Sequence, residues 1–404
     1  MKKIIKYFFF GFSFLLSFKT TLSNFFVILI LISFIIQFII LKEKKIRFGV
    51  MLHSFIPLFV FSLFSLLWSS NKFVGIDLLL RYIPILLIPL IFSIVPLKHN
   101  KLYLKYSYYG LLIGSIILSF LLFWRLSVRL SNLEVVNINR IFSSHQTSHK
   151  YTSEIINIHP SYLGLYSLLS IAVLLFNKIK VKNTIKIVLY LILLVNILFL
   201  NARILFLLLG ILVIIKFFSI ESVKIKIVIF SSFVFLVITS LIFLQNTYLY
   251  KKLIKGSLWE ISHNAGTHNT TDKYPSDSRL VRWKSAIEGT KNHRIIGSGI
   301  GTEMDVLLPM YKKNKLIVSH YRKFNTHNQY LYYLITTGVI GLILFLYLLL
   351  YNIFISIKNR DLIMFYFFTM LFFISLVENV MYRNAGFIFI AIYISLYNKQ
   401  YLHK

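Results

Sequence analysis

The chain is a succession of long apolar runs, and no other feature limits its possible folds so tightly. A helix needs roughly 17 to 25 apolar residues to cross about 30 Å of hydrocarbon. Twelve stretches approach or reach that length: 5–18, 24–41, 49–68, 73–97, 106–124, 159–177, 183–200, 202–219, 225–244, 329–351, 361–377 and 382–398. With 57% hydrophobic and 17% aromatic residues, the sequence holds more apolar surface than a soluble fold can hide. The expectation is an all-α integral membrane protein with about twelve transmembrane helices. The opening Met-Lys-Lys-Ile-Ile-Lys and its apolar run resemble a secretion signal, but no small-residue cleavage site follows, so it reads as an uncleaved first helix.

Lysines and arginines in short loops stay on the cytoplasmic side. With the N-terminus inside, the cytoplasmic segments hold 21 of them, whereas the short outer turns hold only Lys19, Lys72 and Arg383. That asymmetry argues for both termini inside. It divides the chain into helices over 1–124, a first outer loop at 125–158, helices over 159–244, a large outer loop at 245–328 and three last helices over 329–404. The formal net charge of +31 does not require a nucleic-acid partner, because the cytoplasmic flanks facing anionic membrane lipids account for most of it. The large outer loop carries 14 Lys/Arg against 6 Asp/Glu, an excess suited to an anionic ligand such as a diphosphate. Zero cysteines exclude disulfides and thiolate chemistry.

Within that loop, Ser262 to Ser278 is a polar, proline-containing connection expected to be mobile. Leu280, Trp283 and Ile287 follow at helical spacing with Arg282, Lys284 and Glu288 elsewhere, which predicts a short amphipathic helix in the lipid interface. Gly297, Gly299 and Gly301 lack the preceding strand of a nucleotide fingerprint and read as a tight turn. His145 and His149 have the spacing of a zinc protease, but Gln146 stands where its glutamate would be and the segment is a polar loop, so no metal site is expected.

Four motifs in order carry a family resemblance. Ser278-Arg279-Leu280-x-x-Trp283, Ile296-Gly297-x-Gly299-x-Gly301, His327-Asn328-x-x-Leu331 and Gly338-x-x-Gly341 resemble the signature domain of the O-antigen ligase and O-antigen polymerase superfamily. Asn201 to Gly210 is similar to that family's Ser-Arg-x-x-x-Leu helix start, with Ala202 in place of the serine, and His159 to Tyr166 is similar to a helix start seen in many members. The resemblance implies a metal-independent glycosyltransferase of the GT-C type, without cofactor, at the outer face of a bacterial inner membrane. Its donor would be a glycan linked to undecaprenyl diphosphate, and its acceptor a lipid A core or another glycan.

Such a transfer needs a base near the acceptor hydroxyl and fixed positive charge at the leaving diphosphate. By match to the family, His327 would be the base, and Arg279 and Arg203 would hold the diphosphate. Each residue has a second reading: His327 as a helix cap, Arg203 snorkelling to headgroups, and Arg282 in the place of Arg279. Trp283 and Asn328 accompany the arginines and histidine as expected substrate contacts. His159, before Pro160, is either a helix-start residue or a ligand contact, with Tyr162 beside it. Arg81 lies one turn from Asp77, either neutralised by it or facing the carrier. Glu378, at the outer end of the eleventh run, would assist His327 or the acceptor. A capsule or exopolysaccharide polymerase shares these motifs and differs only in acceptor. A lipid-linked sugar flippase is the rival of another class, disfavoured because so few charges lie inside the runs.

Overall fold

A computed structural model of the protein describes residues 2–40, 52–94, 100–131, 141, 155–244, 247–266 and 276–401. The His145/His149 pair and most of the connection expected to be mobile lie outside the described residues. In chain order the helices are α1 Lys2–Leu15, α2 Thr20–Ile40, α3 Leu52–Phe64, α4 Lys72–Ile94, α5 Asn100–Ser131, α6 Pro160–Leu175, α7 Asn183–Leu200, α8 Arg203–Phe218 and α9 Val223–Leu244. The short α10 Tyr248–Tyr250 runs through a π turn, Lys251–Lys255, into α11 Gly256–Glu260. There follow α12 Arg279–Gly289, α13 Glu303–Lys313, α14 Ile317–Tyr321, α15 Gln329–Lys358, α16 Leu362–Ile374 and α17 Asn384–Tyr401. No strand occurs among the described residues.

Every one of the twelve apolar runs coincides with a helix, α7 to the residue. Among the described residues, five are long and apolar enough to cross a membrane: Thr20–Ile40, Lys72–Ser93, Asn100–Ser131, Asn183–Leu200 and Gln329–Lys358. Others are shorter for local reasons. Pro57 lies inside α3, whose last turn tightens into the 3-10 segment Ser65–Leu67, and the 16 residues of α6 reach only about 24 Å.

The helices form two compact units. The first comprises Met1–Ser33, His99–Lys255 and Asp361–Met370. Its centre is α6, buried from Pro160 to Leu174, as an element apolar all round must be. Polar side chains tie the neighbours together where apolar contact alone discriminates poorly: Ser13 with Ser107 between α1 and α5, Ser170 with Ser115 (3.3 Å) between α6 and α5, and Asn196 to Ser167 (3.1 Å) between α7 and α6.

The second unit comprises Phe34–Lys98, Gly256–Arg360 and Leu371–Lys404. Its scaffold is α15 packed on α3 and α4 packed on α17, with Asn352 donating to Ser54 (3.2 Å) and Tyr82 to Tyr332 (3.2 Å). α15 is not one continuous helix. Gly338 has φ +66° and ψ −163°, so the helical ladder breaks there. The chain before α13 takes up the freed groups: Ser298 and Gly299 N–H donate to Ile335 and Thr336 carbonyls (2.9 and 2.8 Å), and Val339 and Ile340 N–H donate to Arg294 and Ile295 carbonyls (2.8 and 3.3 Å). The glycine cluster is thus the turn its sequence suggests, and it is keyed to α15. Gly297 has φ +72°, and a Cβ there would lie 2.5 Å from the Gly338 nitrogen.

Gly297→Ala therefore incurs left-handed strain of about 1–2 kcal/mol and also pushes the turn off α15. We expect it to lower the melting temperature in detergent. Gly210→Ala, in α8 with nothing near its added methyl, should leave it unchanged or raise it. Equal melting temperatures for Gly297→Ala and wild type would show that the turn does not key α15.

Candidate active site

The second unit assembles a basic helix, a histidine loop and three glutamates. α12 starts at Ser278, whose hydroxyl accepts from Val281 N–H and donates to the Ser262 carbonyl (2.6 Å). That is the N-cap a serine provides. The preceding Asp277 is fully buried: Oδ1 accepts from Gly266 N–H (2.7 Å), and Oδ2 accepts from the N–H and hydroxyl of Ser319 (2.7 and 2.6 Å). The start of α12 is therefore fixed to α14.

Arg279 and Arg282 share one carboxylate. Glu260 Oε2 accepts from Arg279 N–H at 3.0 Å and lies 3.9 Å from Arg279 Nε and 3.8 Å from an Arg282 terminal nitrogen. The Arg282 side chain is 6% exposed and stacks over the Phe324 ring at 5.2 Å, whereas Arg279 is 23% exposed. The inward face of α12 carries Arg282, Ser285 and Ala286, which are buried, while Ile287 of the apolar stripe is exposed. Ala286 packs with Leu307, Tyr311, Leu316 and Ile335, and Arg282 can lie on that face because Glu260 neutralises it and Phe324 covers it.

Trp283 is half-buried, and its indole N–H donates to the Thr326 carbonyl (3.0 Å). This bond joins the basic helix to the histidine loop. His327 follows with φ +45°, a left-handed conformation uncommon for a side chain of this size, and its N–H donates to Asn325 Oδ1 (3.1 Å). The helix cap is not His327 but Asn328, which is buried and whose Oδ1 accepts from Tyr330 and Leu331 N–H (3.0 and 3.1 Å). The imidazole is thus left to project from the loop. Its Nδ1 lies 3.7 Å from Glu378 Oε2, and the two side chains are 31% and 16% exposed.

Beneath this pair lies Glu303, the first residue of α13, 5% exposed. Its Oε1 accepts from Thr326 N–H (3.1 Å), Thr326 hydroxyl (2.8 Å) and Asn379 Nδ2 (3.4 Å). Burial raises its pKa above the ordinary carboxylate value, against the opposing pull of those hydrogen bonds. On α4, Arg81 meets Asp77 at 2.5 Å with both side chains substantially exposed, the neutralising i, i+4 pair.

Three sequence candidates belong to the first unit. His159 is the N-cap of α6, Nδ1 accepting from Ser161 N–H at 3.4 Å with Pro160 next, so the helix-start reading accounts for its placement; Tyr162 is buried nearby, ring centroids 6.5 Å apart. Arg203 opens α8 after the N-cap Ala202, which follows Asn201, the residue that ends α7 in a left-handed conformation (φ +46°). Lys252 donates to the Asn201 carbonyl at 2.6 Å. Its pKa is lowered to about 8, first by burial and then by the neighbouring Arg203 charge.

A family model described as O-Antigen ligase matches residues 187–346. That span contains Arg203, Arg279, Arg282 and His327, and the match supports the resemblance to the O-antigen ligase and polymerase superfamily. No curated protein gives a significant match.

Glu260, Glu303 and Lys252 were not among the residues singled out from sequence. A signal for the two glutamates existed: the chain has only 13 acidic residues, so each one in a strongly basic loop needs a reason. For Lys252, one basic residue among many, no signal separated it. Its folded value of about 8 lies below the ordinary lysine value of 10.5. Folding therefore disfavours the charged form, a cost present in full below pH 8 and vanishing as the pH approaches 10.5. Lys252→Met should change the melting temperature more favourably at pH 7 than at pH 10. A variant-minus-wild-type difference that is flat across that range would show that Lys252 is not perturbed.

Proposed function

We propose that the protein is an O-antigen ligase-like glycosyltransferase with twelve membrane-spanning helices and both termini in the cytoplasm. It moves a glycan from undecaprenyl diphosphate to a lipid A core or another surface anchor at the outer face of a bacterial inner membrane, without metal or cofactor. The observation that carries this reading is the bond from Trp283 to the Thr326 carbonyl, reinforced by Arg282 over Phe324. Together they hold the basic helix against the histidine loop, inside the span that matches the family.

In the proposed reaction the acceptor hydroxyl attacks the anomeric carbon of the donor glycan. The carbon–oxygen bond to the diphosphate breaks, and the bonding pair leaves with the lipid diphosphate. His327 takes the hydroxyl proton. Its Nδ1 side faces Glu378, which orients the ring and stabilises it once protonated, so Nε2 is the nitrogen that meets the acceptor. Arg279, the more exposed of the two arginines on Glu260, holds the diphosphate through its planar fork. Arg282 and Trp283 are assigned to keeping α12 and the loop together. The diphosphate role of Arg203 rests on the resemblance alone.

Deletion and complementation, read on surface-glycan gels, test the assignment. Carrier-linked polymer that accumulates while the surface anchor goes bare is the expected result. Loss of chain lengthening alone would instead make the protein a polymerase, which shares the chemistry and differs in acceptor. An unchanged glycan profile would sink both. His327→Ala should abolish transfer at normal protein levels, and retained transfer would refute the base. Arg279→Ala should lower transfer with the protein still accumulating, whereas Arg282→Ala should reduce accumulation itself, since it uncovers Phe324 and leaves Glu260 with one cation fewer.

A further inference from the structure

The His327 and Glu378 side chains face one another across 3.7 Å, yet they stand on segments far apart in the chain. Something must fix their separation, because a displacement of about 1 Å at a reacting group can cost on the order of a hundredfold in rate. The residue immediately before His327 is Thr326, and the residue immediately after Glu378 is Asn379. Both are buried, and both converge on one atom, Glu303 Oε1, through the Thr326 N–H, the Thr326 hydroxyl and the Asn379 amide. The same hydroxyl lies 3.1 Å from the Asn328 carbonyl and 3.4 Å from Asn379 Oδ1.

We infer that Glu303 is a positioning residue: its buried carboxylate holds Thr326 and Asn379 together and thereby sets the spacing of His327 and Glu378. The inference rests on the proposed role of His327. Two further observations support it. His327 is held in a left-handed conformation, which persists only where neighbouring bonds over-determine it, and the bonds to Thr326 are adjacent to that backbone. The carboxylate also stays buried although burial raises its pKa, so its placement carries a desolvation cost that its hydrogen bonds must offset. Gln329 braces the far side of the same turn, accepting from Met381 N–H (2.9 Å) and donating its own N–H to the Ser375 carbonyl (2.8 Å). Those bonds hold the turn against α15 but do not reach Thr326.

The test uses the purified full chain in nanodiscs, with carrier-linked glycan extracted from the deletion strain as donor and membranes of that strain as acceptor. Glu303→Leu removes the accepting oxygen, and kcat should fall between about ten- and a hundredfold with donor KM within about twofold. Glu303→Gln keeps an accepting oxygen at the same reach and should restore kcat to within about threefold of wild type. A loss in kcat alone that Glu303→Gln rescues is a result that a general structural role would not give. Wild-type kcat in Glu303→Leu, or a fall carried by KM, overturns the inference while a dead His327→Ala leaves the proposed base standing. An active His327→Ala overturns both. Should Glu303→Leu fail to accumulate, Thr326→Val deletes only the hydroxyl. A several-fold loss of kcat there supports the inference, and full kcat refutes it.

Discussion

Four backbone hydrogen bonds at the break in α15 hold the second unit's turn, and through it the approach to α13 and the histidine loop. An unpaired peptide group surrounded by hydrocarbon costs several kcal/mol, so a span can be interrupted only where another piece of chain supplies the missing partners. Residues 294–299 supply them in both directions, two carbonyls and two N–H groups of α15 being matched by two N–H groups and two carbonyls of the turn. Ser69 and Ser65 complete the arrangement from the end of α3, one donating to the Ile300 carbonyl and the other accepting from its N–H. Glu303 begins α13 only three residues later, so its position is inherited from that backbone exchange.

Above this frame the site is built from short-range caps and long-range polar bonds. Ser278 and Asn328 start their helices by local rules and would do so in many contexts. Trp283 to Thr326 and Glu303 to Asn379 link residues 43 and 76 positions apart. The first kind of bond fixes where a helix begins; the second decides which helices meet.

The division explains what was legible beforehand. Helix positions followed from apolar length, and α7 coincides to the residue because Asn201, in a left-handed conformation, ends it sharply. The glycine cluster read as a turn for good reason, since positive φ is glycine's own region. The inward face of α12 was not legible. Its stripe of Leu280, Trp283 and Ile287 suggested one apolar side, but a buried arginine is allowed where a carboxylate and an aromatic ring wait for it, and Glu260 and Phe324 come from either side of α12 in sequence. The interruption at Gly338 was hidden for a similar reason: a glycine in an apolar run says nothing about who will bond its neighbours. Glu303 could have been noticed for its rarity, but its partner Asn379 could not.

Glu260 acts as a resident counter-ion within 4 Å of both Arg279 and Arg282. The guanidinium groups are therefore held in place by that carboxylate, and on the proposed reading an arriving diphosphate would displace it rather than capture bare charge. Exchange of this kind lowers the affinity for any anion. On the proposed reading that serves turnover, because the spent lipid diphosphate must leave the same arginine, and the returning carboxylate helps to expel it.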